Sequence, residues 1–152
     1  MNLLKLLKKK AVLLASGSLI LICPLLHAQA SSVTLKIQNE AIDLDTGSIV
    51  SGLLVSDSNT DFSIAYNSDR TPGITPSNDN QAEISLVSQI SFSDFSAQDI
   101  ANLTLSTAFQ DQGLDNNSVV ILRTKLNQYF KLGNFSVDNA NSTVTFDYEK
   151  LQ

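Results

Sequence analysis

Apolar and polar residues alternate over several short runs of this chain. Val33, Leu35 and Ile37 alternate with Thr34, Lys36 and Gln38; Ile42 and Leu44 alternate with Asp43 and Asp45; Phe62, Ile64 and Tyr66 form a third run. A period of two marks a strand with one buried face. Thr46-Gly47 supplies a turn before a further run from Ile49 to Leu54, and another strand is expected near Ala82 to Val87. Tyr129 to Val137 and Thr143 to Tyr148 read as a hairpin with the loop Asp138-Asn139-Ala140-Asn141, in which Val144, Phe146 and Tyr148 share one face. Val119-Val120-Ile121-Leu122 does not alternate. Four large apolar residues in succession predict a central strand covered on both faces.

Breaks in the pattern predict the rest. Pro72, Gly73, Pro76 and many turn-forming polar residues make the stretch between Asn67 and Gln81 a long loop. From Ser96 to Leu103 a capping residue followed three positions later by Asp99 predicts one or two helical turns, the only helix expected beyond residue 30. No period of about 20 to 50 residues repeats, which leaves a solenoid unsupported. The expected fold is all-β, a single antiparallel β-sandwich or curled sheet with at most one short helix.

The first thirty residues obey different rules. Met1 to Lys10 is basic, Ala11 to Leu26 is apolar, and His27-Ala28-Gln29-Ala30 ends in the small-x-small pattern cut by a signal peptidase. The apolar run is broken by Gly17, Ser18 and Pro24 and is short of the roughly 20 residues of a membrane span. Residues 1–30 therefore read as a signal peptide cleaved before Ser31, and residues 31–152 as a single β-rich domain with no membrane span. Ile22 precedes Cys23 where a lipobox needs Gly, Ala or Ser, which argues against a lipid anchor at Cys23. The protein is expected to be exported, to a periplasmic, cell-surface or secreted destination.

Loss of that segment changes the chemistry available. Four lysines depart with it, leaving six basic against fifteen acidic residues and a net charge of −9. So acidic a chain repels phosphate backbones, which excludes nucleic acid as a natural partner. Met1, Cys23 and His27 also depart, so residues 31–152 contain no Cys, His, Met or Trp. Disulfides, Ser-His-Asp and Cys-His catalysis, and zinc sites built on those ligands are excluded together.

Three constellations remain. Asp45-Thr46-Gly47 matches the Asp-Thr-Gly of aspartic peptidases, which share one proton between two such carboxylates; a strand ending in a tight turn explains the same three residues. Asp57, Asn59 and Asp61 offer oxygens at alternate positions, the spacing with which a calcium loop wraps a hard cation. Phe62 then stands where that loop needs Gly, and Ser68 where it needs Glu, so ordinary turn chemistry is the favoured reading. Arg123, followed by Tyr129, could hold an anion, but such an arginine more often pairs with a carboxylate at a strand end.

Three stretches, in order, resemble the HmuY-like family of exported haem-binding proteins. They are Asp45-Thr46-Gly47 with Phe62-Ser63-Ile64-Ala65-Tyr66, the run from Leu122 to Leu132 with its Arg123-Thr124 and Tyr129-Phe130-Lys131, and the closing Val144-Thr145-Phe146-Asp147-Tyr148. The resemblance implies an all-β fold at the cell surface or in the periplasm. It does not carry haem over, because the family holds haem with paired histidines and none remains after residue 30. Asn127 also replaces the Gly usual at that family's turn. Tyr66, Tyr129 and Tyr148 could in principle ligate haem iron, but each fits an alternating apolar face, where a core role is expected.

The function these readings favour is an exported, non-catalytic binding or surface-associated module with an unknown ligand and no cofactor. The rivals are a calcium-stabilised adhesive module, using Asp57, Asn59 and Asp61, and a secreted aspartic-type hydrolase using Asp45.

Overall fold

The computed structural model describes residues 29–52, 59–108 and 114–152. The expected signal peptide lies outside them except for residues 29 and 30. Among the described residues are nine strands: β1 (Ser31–Lys36), β2 (Glu40–Asp43), β3 (Ser48–Ser51), β4 (Phe62–Tyr66), β5 (Pro72–Pro76), β6 (Glu83–Ser88), β7 (Ser118–Arg123), β8 (Tyr129–Asp138) and β9 (Thr143–Leu151). They form a five-stranded sheet, β1-β9-β8-β7-β6, and a four-stranded sheet, β3-β2-β4-β5, with every pairing antiparallel. The all-β sandwich expected from the alternation is the fold observed.

The alternating residues explain why the two sheets stack. Ile42 of β2, Phe62 and Ile64 of β4 and Ile74 of β5 meet Leu35, Val120, Leu122, Leu132, Val144 and Phe146 from the other sheet in one buried core. Phe62 and Phe146 touch across it, their ring centroids 5.7 Å apart. Strand β8 keeps its place in this core through a bulge. Its register against β9 slips between Gly133 and Ser136, and Asn134 takes φ +54°. The extra residue returns Phe135 and Val137 to the face already occupied by Phe130 and Leu132.

Strand β7 lies between β6 and β8, and Val119, Val120, Ile121 and Leu122 are all wholly buried. Val120 and Leu122 face the inter-sheet core, whereas Val119 and Ile121 face a second cluster with Phe92 and Phe95. That cluster is closed by the segment following β6. Its 3₁₀ helix, Ala97–Asn102, begins where the Asp99 carboxylate accepts the Ser96 N–H at 2.8 Å. The helix expected at this point is therefore present, in its tighter form.

The long loop expected between Asn67 and Gln81 is not one loop. Residues 72–76 form β5, paired with β4 so that Pro72 lies opposite Tyr66 and Pro76 opposite Phe62. The ladder uses the other parity: Asn67 N–H donates to the Thr71 carbonyl and Ser77 N–H to the Asp61 carbonyl. Both prolines thus occupy positions whose nitrogens point away from β4. Because β5 is an edge strand, the missing N–H groups cost no sheet hydrogen bond.

Candidate functional site

Where β2 runs into the turn before β3, three carboxylates come together. Asp43, Asp45 and Asp61 each place an oxygen within 4.8 Å of the others. Asp61 reaches them because its N–H donates to the Ile42 carbonyl at 2.7 Å, which pins the chain before β4 to the end of β2. Its Oδ2 accepts the Leu44 N–H at 2.8 Å and its Oδ1 accepts the Asn80 Nδ2 at 3.1 Å. Asp43 Oδ1 caps the turn by accepting the N–H groups of Asp45 and Thr46. Thr124 Oγ1 donates to Asp45 Oδ1 at 3.3 Å, linking this turn to the one that joins β7 and β8 in the opposite sheet.

Asp61 is wholly buried, and its pKa is pushed up from 3.8 to about 6. Burial is the main cause. The Leu44 N–H opposes it by stabilising the carboxylate, and the negative charges of Asp45 and Asp43 add to it. Of the residues proposed to wrap calcium, Asp57 lies outside the described residues, Asn59 is exposed, and Asp61 is buried with both oxygens engaged. Asp45 does stand beside other carboxylates, as a proton-sharing pair requires. However, its Oδ1 takes the Thr124 hydroxyl, both oxygens of Asp61 are held by main-chain and amide donors, and Asp43 Oδ1 is held by two main-chain N–H groups.

Arg123 pairs with Glu83, its direct cross-strand neighbour on β6, and on the other side faces Tyr129 of β8. Its pKa is raised by the hydrogen bond to Tyr129 first and by Glu83 next. This is the structural pairing favoured from the sequence. Tyr66 and Tyr148 pack, partly buried, against the inter-sheet core and Tyr129 against the outer cluster, as the alternation predicts. Asn127 adopts φ +59° in the β7–β8 turn, with its N–H on the Thr124 carbonyl. Asparagine tolerates that left-handed conformation, which is how the turn forms without glycine.

A polar cleft at one end of the sandwich had no signal in the sequence. It has a volume of about 680 Å³ and is lined by Gln38, Tyr66, Asn67, Arg70, Asn139 and Ser142. Tyr66 ends β4, and the other five residues come from the β1–β2, β4–β5 and β8–β9 turns. Main-chain bonds lock the three turns in place: Gln38 N–H donates to the Ile64 carbonyl and Ile37 N–H to the Ser142 carbonyl, each at 2.8 Å. Asn67 Oδ1 accepts the N–H groups of Asp69 and Thr71 and so shapes its own turn.

No protein-family model and no curated protein matches the chain. Among solved structures it is similar to a protein described as a "putative lipoprotein" from Bacteroides fragilis, at 14% identity and a TM-score of 0.48, over 79% of this chain and 88% of that one. The three stretches that resemble the HmuY-like family fall on the β2–β3 turn with β4, on the β7–β8 hairpin, and on β9. No helix among the described residues is long and apolar enough to cross a membrane.

Proposed function

We propose that this chain is an exported, non-catalytic β-sandwich that binds a small ligand in the polar cleft between its β1–β2, β4–β5 and β8–β9 turns. The observation that carries this reading is the convergence there of six polar or aromatic side chains from both sheets. Turns projecting from a rigid sandwich are the usual carriers of binding function. Export is read from the basic, apolar and Ala28-x-Ala30 sequence of the first thirty residues, and HmuY-like relatedness is retained for fold and setting without haem. A non-catalytic role is supported by the carboxylates around Asp45: both oxygens of Asp61 and one each of Asp43 and Asp45 are engaged by the protein's own donors.

Two measurements test the reading. Mass spectrometry of the exported protein should find Ser31 as its first residue; an intact Met1 or a lipidated Cys23 would overturn the export route. A thermal-shift screen against a small-molecule library should return ligands that stabilise the native protein and lose their effect in the Arg70→Ala, Asn139→Ala double variant. Ligands that stabilise both equally would place binding elsewhere.

A rival reading, a calcium-stabilised module, gains from the closeness of Asp43, Asp45 and Asp61. Calcium that raises the melting temperature of the native protein but not of Asp43→Asn would favour it.

A further inference from the structure

The chemistry of the cleft lining narrows the ligand class; the argument rests on the binding role proposed above. Its volume of about 680 Å³ falls within the range of about 300–1,000 Å³ typical of small-molecule sites. Its lining is unlike that of most such sites, which are largely aliphatic and aromatic. Among the described residues of the lining the only ring is Tyr66, and no aliphatic side chain joins it. An apolar ligand, a lipid tail or a porphyrin would leave these polar groups without water or partners.

The donors and acceptors are also of a particular kind. Gln38, Asn67 and Asn139 each carry a planar amide, with an acceptor and two donors side by side. Ser142 adds a hydroxyl and Arg70 a fork of donors. Asn67 has spent its oxygen within its turn, which leaves its NH₂ as a donor. Among the described residues, no hydrogen bond or ion pair engages the side chains of Gln38, Arg70, Asn139 or Ser142. The complement of such a set is a molecule with many hydroxyls, each both donor and acceptor, and a C–H face for an aromatic ring.

Charge points the same way. Arg70 is the only cationic residue among the described residues of the lining, Asp69 adjoins it in sequence, and residues 31–152 are strongly acidic. A polyanion is therefore disfavoured, and the guanidinium suits a hydroxyl pair or a single carboxylate.

We infer that the cleft is a saccharide site, in which Tyr66 offers its ring to a sugar face while the amides of Gln38, Asn67 and Asn139, with Arg70 and Ser142, take the ring hydroxyls.

Nuclear magnetic resonance of the ¹⁵N-labelled exported protein tests this, because side-chain NH₂ groups give their own signals. The probes are N-acetylglucosamine, galactose and glucuronate, with acetate and inorganic phosphate as anions lacking a sugar. At least one saccharide should shift the NH₂ signals of Gln38, Asn67 and Asn139 in a saturable way. Asn139→Ala and Arg70→Ala, both at exposed positions, should each weaken that binding about tenfold. Equal shifts with acetate or phosphate would show an anion site and overturn the saccharide assignment. Shifts with none of the probes would overturn it as well. In either case, ligands lost in the thermal-shift screen on the double variant would still establish the cleft as a binding site.

Discussion

A methyl group placed on Gly133 would stand 2.8 Å from Cδ2 of Phe92, inside the contact distance of any two carbons. Gly133 lies on β8 next to the bulge, on the face turned to the outer cluster, and Phe92 closes over it. The glycine is therefore required by close approach of a ring. Gly133→Ala should cost about 1–3 kcal/mol, the usual range for overpacking a filled site. Denaturant unfolding would measure it, and an unchanged midpoint would show that the 89–105 segment yields freely.

The same segment is fastened by Lys131. Its Nζ donates to the carbonyls of Phe92 and Phe95 at 3.0 and 3.2 Å, lies 4.6 Å from the Phe92 ring centroid, and pairs with Glu149, its cross-strand neighbour, at 3.2 Å. A lysine this buried is stable only because each of its donors has an acceptor. Lys131→Met keeps the length and the apolar stem but strands two carbonyls and a carboxylate. A loss of about 2–3 kcal/mol is expected, together with faster proteolysis within residues 89–105.

Ile121 and Ile49 make a matched pair. The first is wholly buried on β7, and the second is 43% exposed on the edge strand β3. Ile121→Ala should cost about 2–5 kcal/mol and Ile49→Ala less than about 1 kcal/mol. With no cysteine after residue 30, no disulfide offsets the loss. Equal effects in a denaturant titration would contradict the central position of β7.

How far the sequence could be read follows the range of the interactions involved. Alternation is local, so β1, β2, β4 and β9 are visible in it, β8 is read through its hairpin with β9, and four unbroken apolar residues mark β7 as buried. Pro72 and Pro76 hid β5, because whether a proline damages a strand depends on which side its neighbour lies. Only the pairing with β4 decides that. The site residues were legible one at a time. Asp45 and Asp61 each stood out, but Asp43 joins them through the pairing of β2 with the start of β4. The cleft draws on turns more than 100 residues apart, brought together because the first strand pairs with the last. No pattern within a short window contains that information.

Asp61 makes stability depend on pH with a definite sign. Its pKa is about 6 in the folded protein, against an ordinary value of 3.8. The folded state therefore holds this proton more tightly than the unfolded chain does. Below about pH 4 the carboxyl is protonated in both states and folding carries no ionisation penalty. As pH rises from about 4 through about 6, the unfolded chain releases the proton first, and stability falls by about 3 kcal/mol before levelling off. Asp99 and Asp138 titrate in the opposite sense, since N–H and amide donors from Ser96 and Asn141 lower their pKa values, so the curve of the native protein alone would mix the two. The difference between native protein and Asp61→Asn isolates the effect. Asparagine still accepts the Leu44 N–H, and its new NH₂, in place of the oxygen that now accepts from Asn80 Nδ2, is accepted by the unpartnered Asn80 Oδ1 once the Asn80 amide turns over. In chelator-containing buffer, Asp61→Asn should gain on the native protein between pH 4 and 6, in chemical unfolding followed across that range. A constant difference would mean that Asp61 is ionised throughout, with the charges of Asp43 and Asp45 compensated by groups nearby.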